Sequence, residues 1–277
     1  MKKIWFVTGV SGGLGRCIAK AAADQGNTVI GTLRDEAQFE AFKQLVPGFT
    51  IPTLLDVRNV EQCDSAIEKV LADFGRIDVL VNNAGYGLVG AVEEFSQAEL
   101  RDQMEVNFFG PLKLMQLALS SMRQHKSGHI FNISSIAGFA GTHALALYNA
   151  SKFALEGLSE GLQKEVTQFG IQVTIVEPGP FRTKWAGGGL VHAAQSIPDY
   201  EPVTSQLRSR LDKVDGNQPG DPDRAARLIV DVALTDNAPL RLLLGAAGYQ
   251  VIESKIKSMS NEFELWKSRG IATDFDA

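Results

Sequence analysis

Lys3-Ile4-Trp5-Phe6-Val7-Thr8-Gly9-Val10-Ser11-Gly12-Gly13-Leu14-Gly15 stands at the head of the chain and decides its fold. Lys3–Thr8 is nearly all apolar, which a strand buried on both faces requires. Gly9, Gly13 and Gly15 then turn the chain, in a G-x-x-x-G-x-G spacing, into a helix that runs to about Gln25, where Gly26 is placed to stop it. Backbone N–H groups at such a helix start hold an anionic pyrophosphate, provided no side chain blocks its approach. The spacing is not the G-x-G-x-x-G of the common dinucleotide fingerprint, so the position between strand and helix carries the reading.

Further along, short β-rich runs alternate with helical periodicity. Thr28–Thr32, Thr50–Leu55, Ile77–Val81, Ile130–Ile133, Ile171–Val176 and Leu242–Leu244 read as strands. Asp35 starts a helix whose Phe39, Phe42 and Val46 share a face, ended by Pro47-Gly48. Ile67, Val70, Leu71 and Phe74 mark another, stopped at Gly75. Ser96 and Glu99 form a capping box for a long helix that Gly110-Pro111 disturbs. A further helix spans about Leu147–Gln168, Asp221-Pro222 supplies an N-cap and first position, and Val251–Lys267 is helical. The expectation is one α/β domain over residues 1–277, a doubly wound parallel sheet of about seven strands with helices on both faces. Residues 184–220 break the rhythm and read as a lid over the ligand, and residues 246–277 as a helical extension.

Bulk properties exclude several classes. Hydrophobic residues make up 44% and charged residues 21%, an ordinary folded balance. A net charge of −5 provides no basic field for nucleic acid or an anionic membrane. The apolar start is cut short by Thr8 and Gly9, so it is not a secretory leader, and no run approaches the ~18 apolar residues of a spanning helix. Two cysteines, Cys17 and Cys63, suit a reducing compartment, and a cytoplasmic protein is the default. The histidines have no metal spacing.

The second strand ends Thr32-Leu33-Arg34. An enzyme choosing NAD places an acid there for the ribose 2′-hydroxyl. Here Leu33 stands in its place and Arg34 can pair with a 2′-phosphate, so NADP(H) is favoured over NAD(H). Tyr148 and Lys152 lie four apart near a helix start and therefore on one face. An ammonium beside a phenol favours the phenolate and brings its pKa down from about 10 towards neutrality. Such a pair alone is common on ordinary helices. Ser135, closing the fifth strand, adds a hydroxyl for a developing oxyanion, and Asn107, Asn82-Asn83-Ala84-Gly85 and Pro178-Gly179 put small or polar residues at the other ligand-facing ends.

Taken together, Thr8-Gly9…Gly13-Leu14-Gly15, Asp56-Val57, Asn83-Ala84-Gly85, Asn107, Ser135, Tyr148…Lys152 and Pro178-Gly179…Thr183 resemble the short-chain dehydrogenase/reductase family, in its shorter Rossmann-type branch. The resemblance covers about residues 3–183. It implies catalytic roles for Asn107, Ser135, Tyr148 and Lys152, with Asn107 ordering a water in a proton relay. For the cofactor it implies Gly9, Ser11, Gly13, Leu14 and Gly15 at the pyrophosphate, Asp56 and Val57 at adenine, and Asn83, Ala84 and Gly85 around that pocket. Tyr148, Lys152, Pro178, Gly179, Phe181 and Thr183 would lie at the nicotinamide end. Gly12 occupies a position that is often basic in NADP-preferring relatives, which leaves Arg34 to carry the preference.

The expected function is hydride transfer between NADP(H) and a carbonyl or secondary-alcohol carbon, with Tyr148 as acid/base. Trp185, Leu190, Val191, Ile197, Tyr200 and Val203, opposite Phe139 and Leu145, imply a hydrophobic small-molecule substrate under a lid hinged at Gly187–Gly189. Two other readings are a silent NADP(H)-sensing binding protein, which would not need the acid/base set, and a sugar-nucleotide epimerase, which expects a larger substrate domain. The resemblance implies a homo-oligomer, dimer or tetramer, paired through helices near 97–124 and 148–168 and modified by the extension past Gly245. His143 is read as a loop residue, Cys17 as a packing residue, and Glu93 and Glu94 as a solvated helix entry.

Overall fold

The computed structural model describes residues 2–275; the last two residues of the expected extension lie outside the described residues. Nine strands are described: β1 (Ile4–Val7), β2 (Thr28–Leu33), β3 (Thr50–Leu54), β4 (Val79–Asn82), β5 (Gly87–Val89), β6 (Gly128–Ile133), β7 (Ile171–Pro178), β8 (Leu190–His192) and β9 (Arg241–Leu244). Helices α1 (Gly13–Asp24), α2 (Phe39–Lys43), α3 (Val60–Phe74), α4 (Gln97–Met104), α5 (Gly110–His125) and α6 (Ala146–Val166) precede α7 (Trp185–Gly188), α8 (Glu201–Val214), α9 (Pro222–Val232) and α10 (Ala246–Ile271).

Seven strands form one parallel sheet in the order β3-β2-β1-β4-β6-β7-β9. Strand alternation sends Trp5 and Val7 to a core shared with α1 and α9, while Phe6 faces a second core built from α3, α5 and α6. Both faces are therefore covered, the condition under which a parallel sheet is stable. From β1 the chain winds one way through β2 and β3, then crosses back to β4. This leaves the crevice where strand order reverses at the carboxyl ends of β1 and β4.

Local chemistry explains the element ends. Gly75 caps α3 with φ 75°, Ser96 and Glu99 exchange capping bonds at α4, and Asp221 accepts from Asp223 N and Arg224 N before Pro222. The disturbance at Gly110-Pro111 is a wide π-type turn over Glu105–Phe109 that joins α4 to α5. Pro111 has no N–H for the carbonyl four residues earlier, so the regular ladder cannot pass through that point.

One expectation needs correction, and one segment needs completion. The helix after Asp35 is short: a 3-10 turn over Glu36–Gln38 followed by the five residues of α2. Residues 184–220, to which the sequence reading assigned no elements, are structured. They hold α7, β8 and α8, and β8 pairs with β5, a strand too short to read from its three residues.

Candidate active site

The crevice is built first from backbone. Gly9 has φ 71° and Gly13 φ 57°, values that an L side chain rarely accepts. A Cβ at Gly15 would collide with the Asn83 amide, and one at Gly9 would reach the Ala84 Cα at 3.0 Å. Asn83 holds the turn in place: its amide donates to Thr8 O at 2.8 Å and Gly9 O at 3.1 Å. Thr8 Oγ1 in return accepts from Asn83 N and Ala84 N, both at 2.9 Å. Asn83 is thus a brace for the glycine turn. Among the described residues no side chain caps the N-terminus of α1, and the space beside Gly12 is open. A helix start that opens on Gly12 and Gly13 without a side-chain cap fits a pyrophosphate. Leu14 packs against the core, Ser11 is exposed at the rim, and Thr183 closes on Gly13 at 3.6 Å from where a Cβ would lie.

At the far edge of the crevice, Arg34 is exposed beyond the buried Leu33. Arg58, which sequence reading missed, pairs with Asp56 and with Asp102, each at 2.6 Å, and Tyr86 donates its hydroxyl to Asp102 at 2.8 Å. Asp56 is held below the usual carboxylate range by the Arg58 hydrogen bond, with Arg34 adding a smaller push. Val57 is buried against Gly110.

The reacting end is assembled from β4, β6, the π-type turn and α6. Asn107 is fully buried; its amide donates to Tyr86 O and Ser151 Oγ, both at 3.0 Å, and its Oδ1 accepts from Tyr86 N at 3.2 Å. Gly85 faces the same point, since a Cβ there would lie 3.1 Å from Asn107 Oδ1 and 3.6 Å from Lys152 Nζ. Lys152 donates to Ile133 O at 2.8 Å and its Nζ is 5.8 Å from the centre of the Tyr148 ring. Ser135 Oγ accepts from Ala137 N at 3.1 Å, which leaves its proton to donate. Tyr148, Ser135, Lys152 and Asn107 therefore converge beside the glycine turn. Pro178 and Gly179 end β7, where Gly179 closes on Gly248, while Phe181 turns its ring towards Gly220 and Gly245 in the core.

The electrostatics differ from the sequence expectation. Burial pushes the Tyr148 phenol up to about 12, and the hydrogen bond from Ser135 only opposes it in part. Burial also lowers Lys152 to about 8, against the attraction of Glu156. In the chain by itself desolvation outweighs the expected acidifying effect of the ammonium, because both groups lose water together. The phenol is protonated at neutral pH and is ready as an acid.

Over the site, the Trp185 ring lies 5.4 Å from that of Tyr148, with Leu190, Leu207 and Leu211 beside Val89, Ala137 and Leu145. Val191 and Val203 are exposed and stay out of this cluster. Phe139 lies instead under Arg241. Glu94 is not a solvated helix entry: it is buried and accepts from Ala91 N at 2.7 Å and Ile197 N at 2.8 Å. Two backbone donors satisfy a carboxylate that burial alone would penalise. Behind the site Arg241 binds Glu156, Glu160 and Glu177, and Ser134 donates to Glu156 at 2.6 Å. Sequence reading missed both: Glu156 could have been found one turn beyond Lys152, whereas no local signal points to Arg241 on the last strand.

Comparison with known proteins agrees with this architecture. The short chain dehydrogenase family profile matches residues 3–188. Oxidoreductase BOA17 of Botryotinia fuckeliana is 36% identical over 99% of this chain and 100% of its own length. A 3-ketodihydrosphingosine reductase of Bacteroides thetaiotaomicron is 34% identical over 92% of each. A short-chain dehydrogenase structure from Streptomyces avermitilis has a TM-score of 0.93 at 41% identity, covering 99% of this chain and 100% of that one. A metagenomic short-chain oxidoreductase in complex with NADP has a TM-score of 0.70 at 29% identity, covering 87% and 96%. A Burkholderia phymatum structure in complex with NAD, 22% identical with a TM-score of 0.83 over 94% and 95%, shares the fold. The protein belongs to the short-chain dehydrogenase/reductase family of oxidoreductases.

Proposed function

We propose that the protein is an NADP(H)-dependent carbonyl reductase or alcohol dehydrogenase for a hydrophobic substrate, with Tyr148 as acid/base. The observation that carries this reading is the convergence of the Tyr148 phenol, Ser135, Lys152 and Asn107 on the crevice beside the uncapped start of α1. Gly9, Ser11, Gly13, Leu14 and Gly15 would hold the pyrophosphate, Asp56 and Val57 the adenine, and Ala84, Gly85, Pro178, Gly179, Phe181 and Thr183 the rest of the dinucleotide. When bound, the nicotinamide supplies or accepts a hydride.

In reduction, Ser135 and Tyr148 donate hydrogen bonds to the carbonyl oxygen, and Tyr148 gives up its proton as negative charge grows there. A phenol pushed up to about 12 is protonated at neutral pH and has a proton to give. Lys152, fixed by Ile133 O and lying near the phenol ring, would hold the nicotinamide ribose. Asn107, anchored between Tyr86 and Ser151, holds the wide turn open towards Gly85 for a relay water.

The apolar cluster around Tyr148 supports a hydrophobic substrate, as does the 3-ketodihydrosphingosine in the name of the Bacteroides relative. Residues 184–220 serve as its lid, held by Glu94 at Ile197 N and by Glu99 at Ala194 N. The cofactor choice rests on Arg34, and NADP in the metagenomic relative supports it. Exposed Phe109 and Phe153 support pairing of subunits through the α5 and α6 region. The test is NADPH consumption across aldehydes, aryl ketones, long-chain ketones and small polar ketones. Faster turnover of the polar set would remove the substrate claim. For the cofactor, kcat/KM with NADPH should exceed that with NADH by about tenfold or more, one charge-assisted contact being worth roughly 1.5 kcal/mol. Arg34→Asp should reverse the order, and equal values for the unaltered protein would dismiss it.

A further inference from the structure

Helix α10 leaves the body soon after it starts. Its buried residues are Gly248 and Ile252, and every residue from Ser260 to Phe275 is exposed. A helix of this length extends ~1.5 Å per residue, so its second half stands clear of the fold on any side. Yet it is not polar all round. Tyr249, Ile252, Ile256, Met259, Phe263, Trp266 and Gly270 follow one another at alternating intervals of three and four residues. That is the spacing of a coiled-coil seam. Tyr249, Ile256, Phe263 and Trp266 on it are each more than half exposed, at 52%, 53%, 65% and 55%.

The seam and its borders name their own occupant. Read outward from Met259 in either direction, the seam gives the exposed Ile256 and Phe263 at the first step; at the second it gives exposed Trp266 on one side and, where the helix leaves the body, the buried Ile252 on the other. Glu253 and Lys267 lie on one border of the seam, and Lys255 and Glu262 on the other. When two such helices run antiparallel about Met259, Glu253 meets Lys267 on one border and Lys255 meets Glu262 on the other. A two-fold axis makes each meeting twice. Border charges of this kind set partner and orientation in helix pairs, and a self-complementary patch is what an isologous two-fold contact needs. We propose that a second copy of this chain covers this face, the two α10 helices packing antiparallel with the axis at Met259. This contact is separate from the α5 and α6 surface and does not depend on the reaction assigned above.

Cysteine cross-linking under mild oxidation tests it on the full-length protein, whatever other subunit contacts exist. Met259→Cys should give a covalent dimer, and Asn261→Cys, at the same height on the opposite face, should not. Orientation is read by mixing: Ile256→Cys with Phe263→Cys should form the mixed disulfide in clear excess over either variant alone. Reversing Lys255 and Lys267 to Glu should lower the yield about tenfold, since four attractive pairs become repulsive. Adding Glu253→Lys and Glu262→Lys to the same chain should restore it. Equal linking at 259 and 261, or none at either, overturns the proposal. So does self-linking of Ile256→Cys and Phe263→Cys without the mixed species, or an unlinked protein that sediments with phosphatidylcholine–phosphatidylglycerol vesicles through this face.

Discussion

Two buried polar groups lie one turn apart on α6 and behave in opposite ways. Glu156 is 4% exposed and is met by Arg241 and Ser134; Lys152 is 5% exposed and, among the described residues, its side chain has Ile133 O as its one hydrogen-bond partner. On the Glu156 side a guanidinium and a hydroxyl stand in for the lost water. The Lys152 side lets burial dominate, so Lys152 falls to about 8 and Tyr148 rises to about 12. Charge that is matched holds the fold together, and charge left short of partners is held ready for proton transfer.

Each side of that contrast is open to attack by substitution. The largest effect is expected from Tyr148→Phe, which keeps the packing against Trp185 and removes the proton. Turnover should fall by at least about a hundredfold, with cofactor binding retained and Tm within a degree or so; near-normal kcat would end the acid/base assignment. Next comes Arg241→Met on the matched side. It leaves Glu156 and Glu177 buried without their cation, a loss of about 3 kcal/mol, or roughly 6–10 °C in Tm. The deficit should shrink as pH is lowered and Glu177, whose carboxyl burial already pushes up, takes up a proton. Thermal unfolding between pH 5 and 8 reads both, and an unchanged Tm would mean that the cluster contributes nothing.

Lys152→Met should do the reverse, lowering turnover while raising stability at pH 7 by about 2 kcal/mol once the lost hydrogen bond is counted. The smallest effect is its pH dependence. A folded value of about 8 lies below the ordinary 10.5, so the penalty of burying the ammonium is fully present below pH 8. It disappears as pH rises towards 10.5, and the advantage of the variant should disappear over the same window. Parallel denaturant curves at pH 7 and pH 10 measure this, and a constant difference would show that Lys152 is not the group responsible.

The sheet was legible where a local rule acts alone. The apolar Lys3–Thr8 run, the Ser96 and Glu99 box, Gly75 and Asp221-Pro222 each mark an element edge by near-neighbour chemistry, and the structure follows them. The members of the site were also readable, since Tyr148 and Lys152 share a helix face and Ser135 and Gly85 lie just past strand ends. What escaped depends on pairs far apart in sequence. β5 finds β8 about a hundred residues later, Glu94 is satisfied by Ile197 N, and Arg241 reaches back to Glu156. The electrostatic balance escaped as well, since spacing places an ammonium near a phenol without saying how much water either keeps. Helix α8 was missed because the many glycines and prolines of residues 184–220 hide its fourteen residues.

The π-type turn at Glu105–Phe109 has a consequence for how faithfully Asn107 keeps its post. Elsewhere such a turn competes with an ordinary helical register that differs by a single shift of the ladder. Here that rival would drive the Pro111 ring into the carbonyl of Asn107 itself. With the alternative closed, the asparagine has no second seat to slip into, and the chain needs no ligand to keep it there.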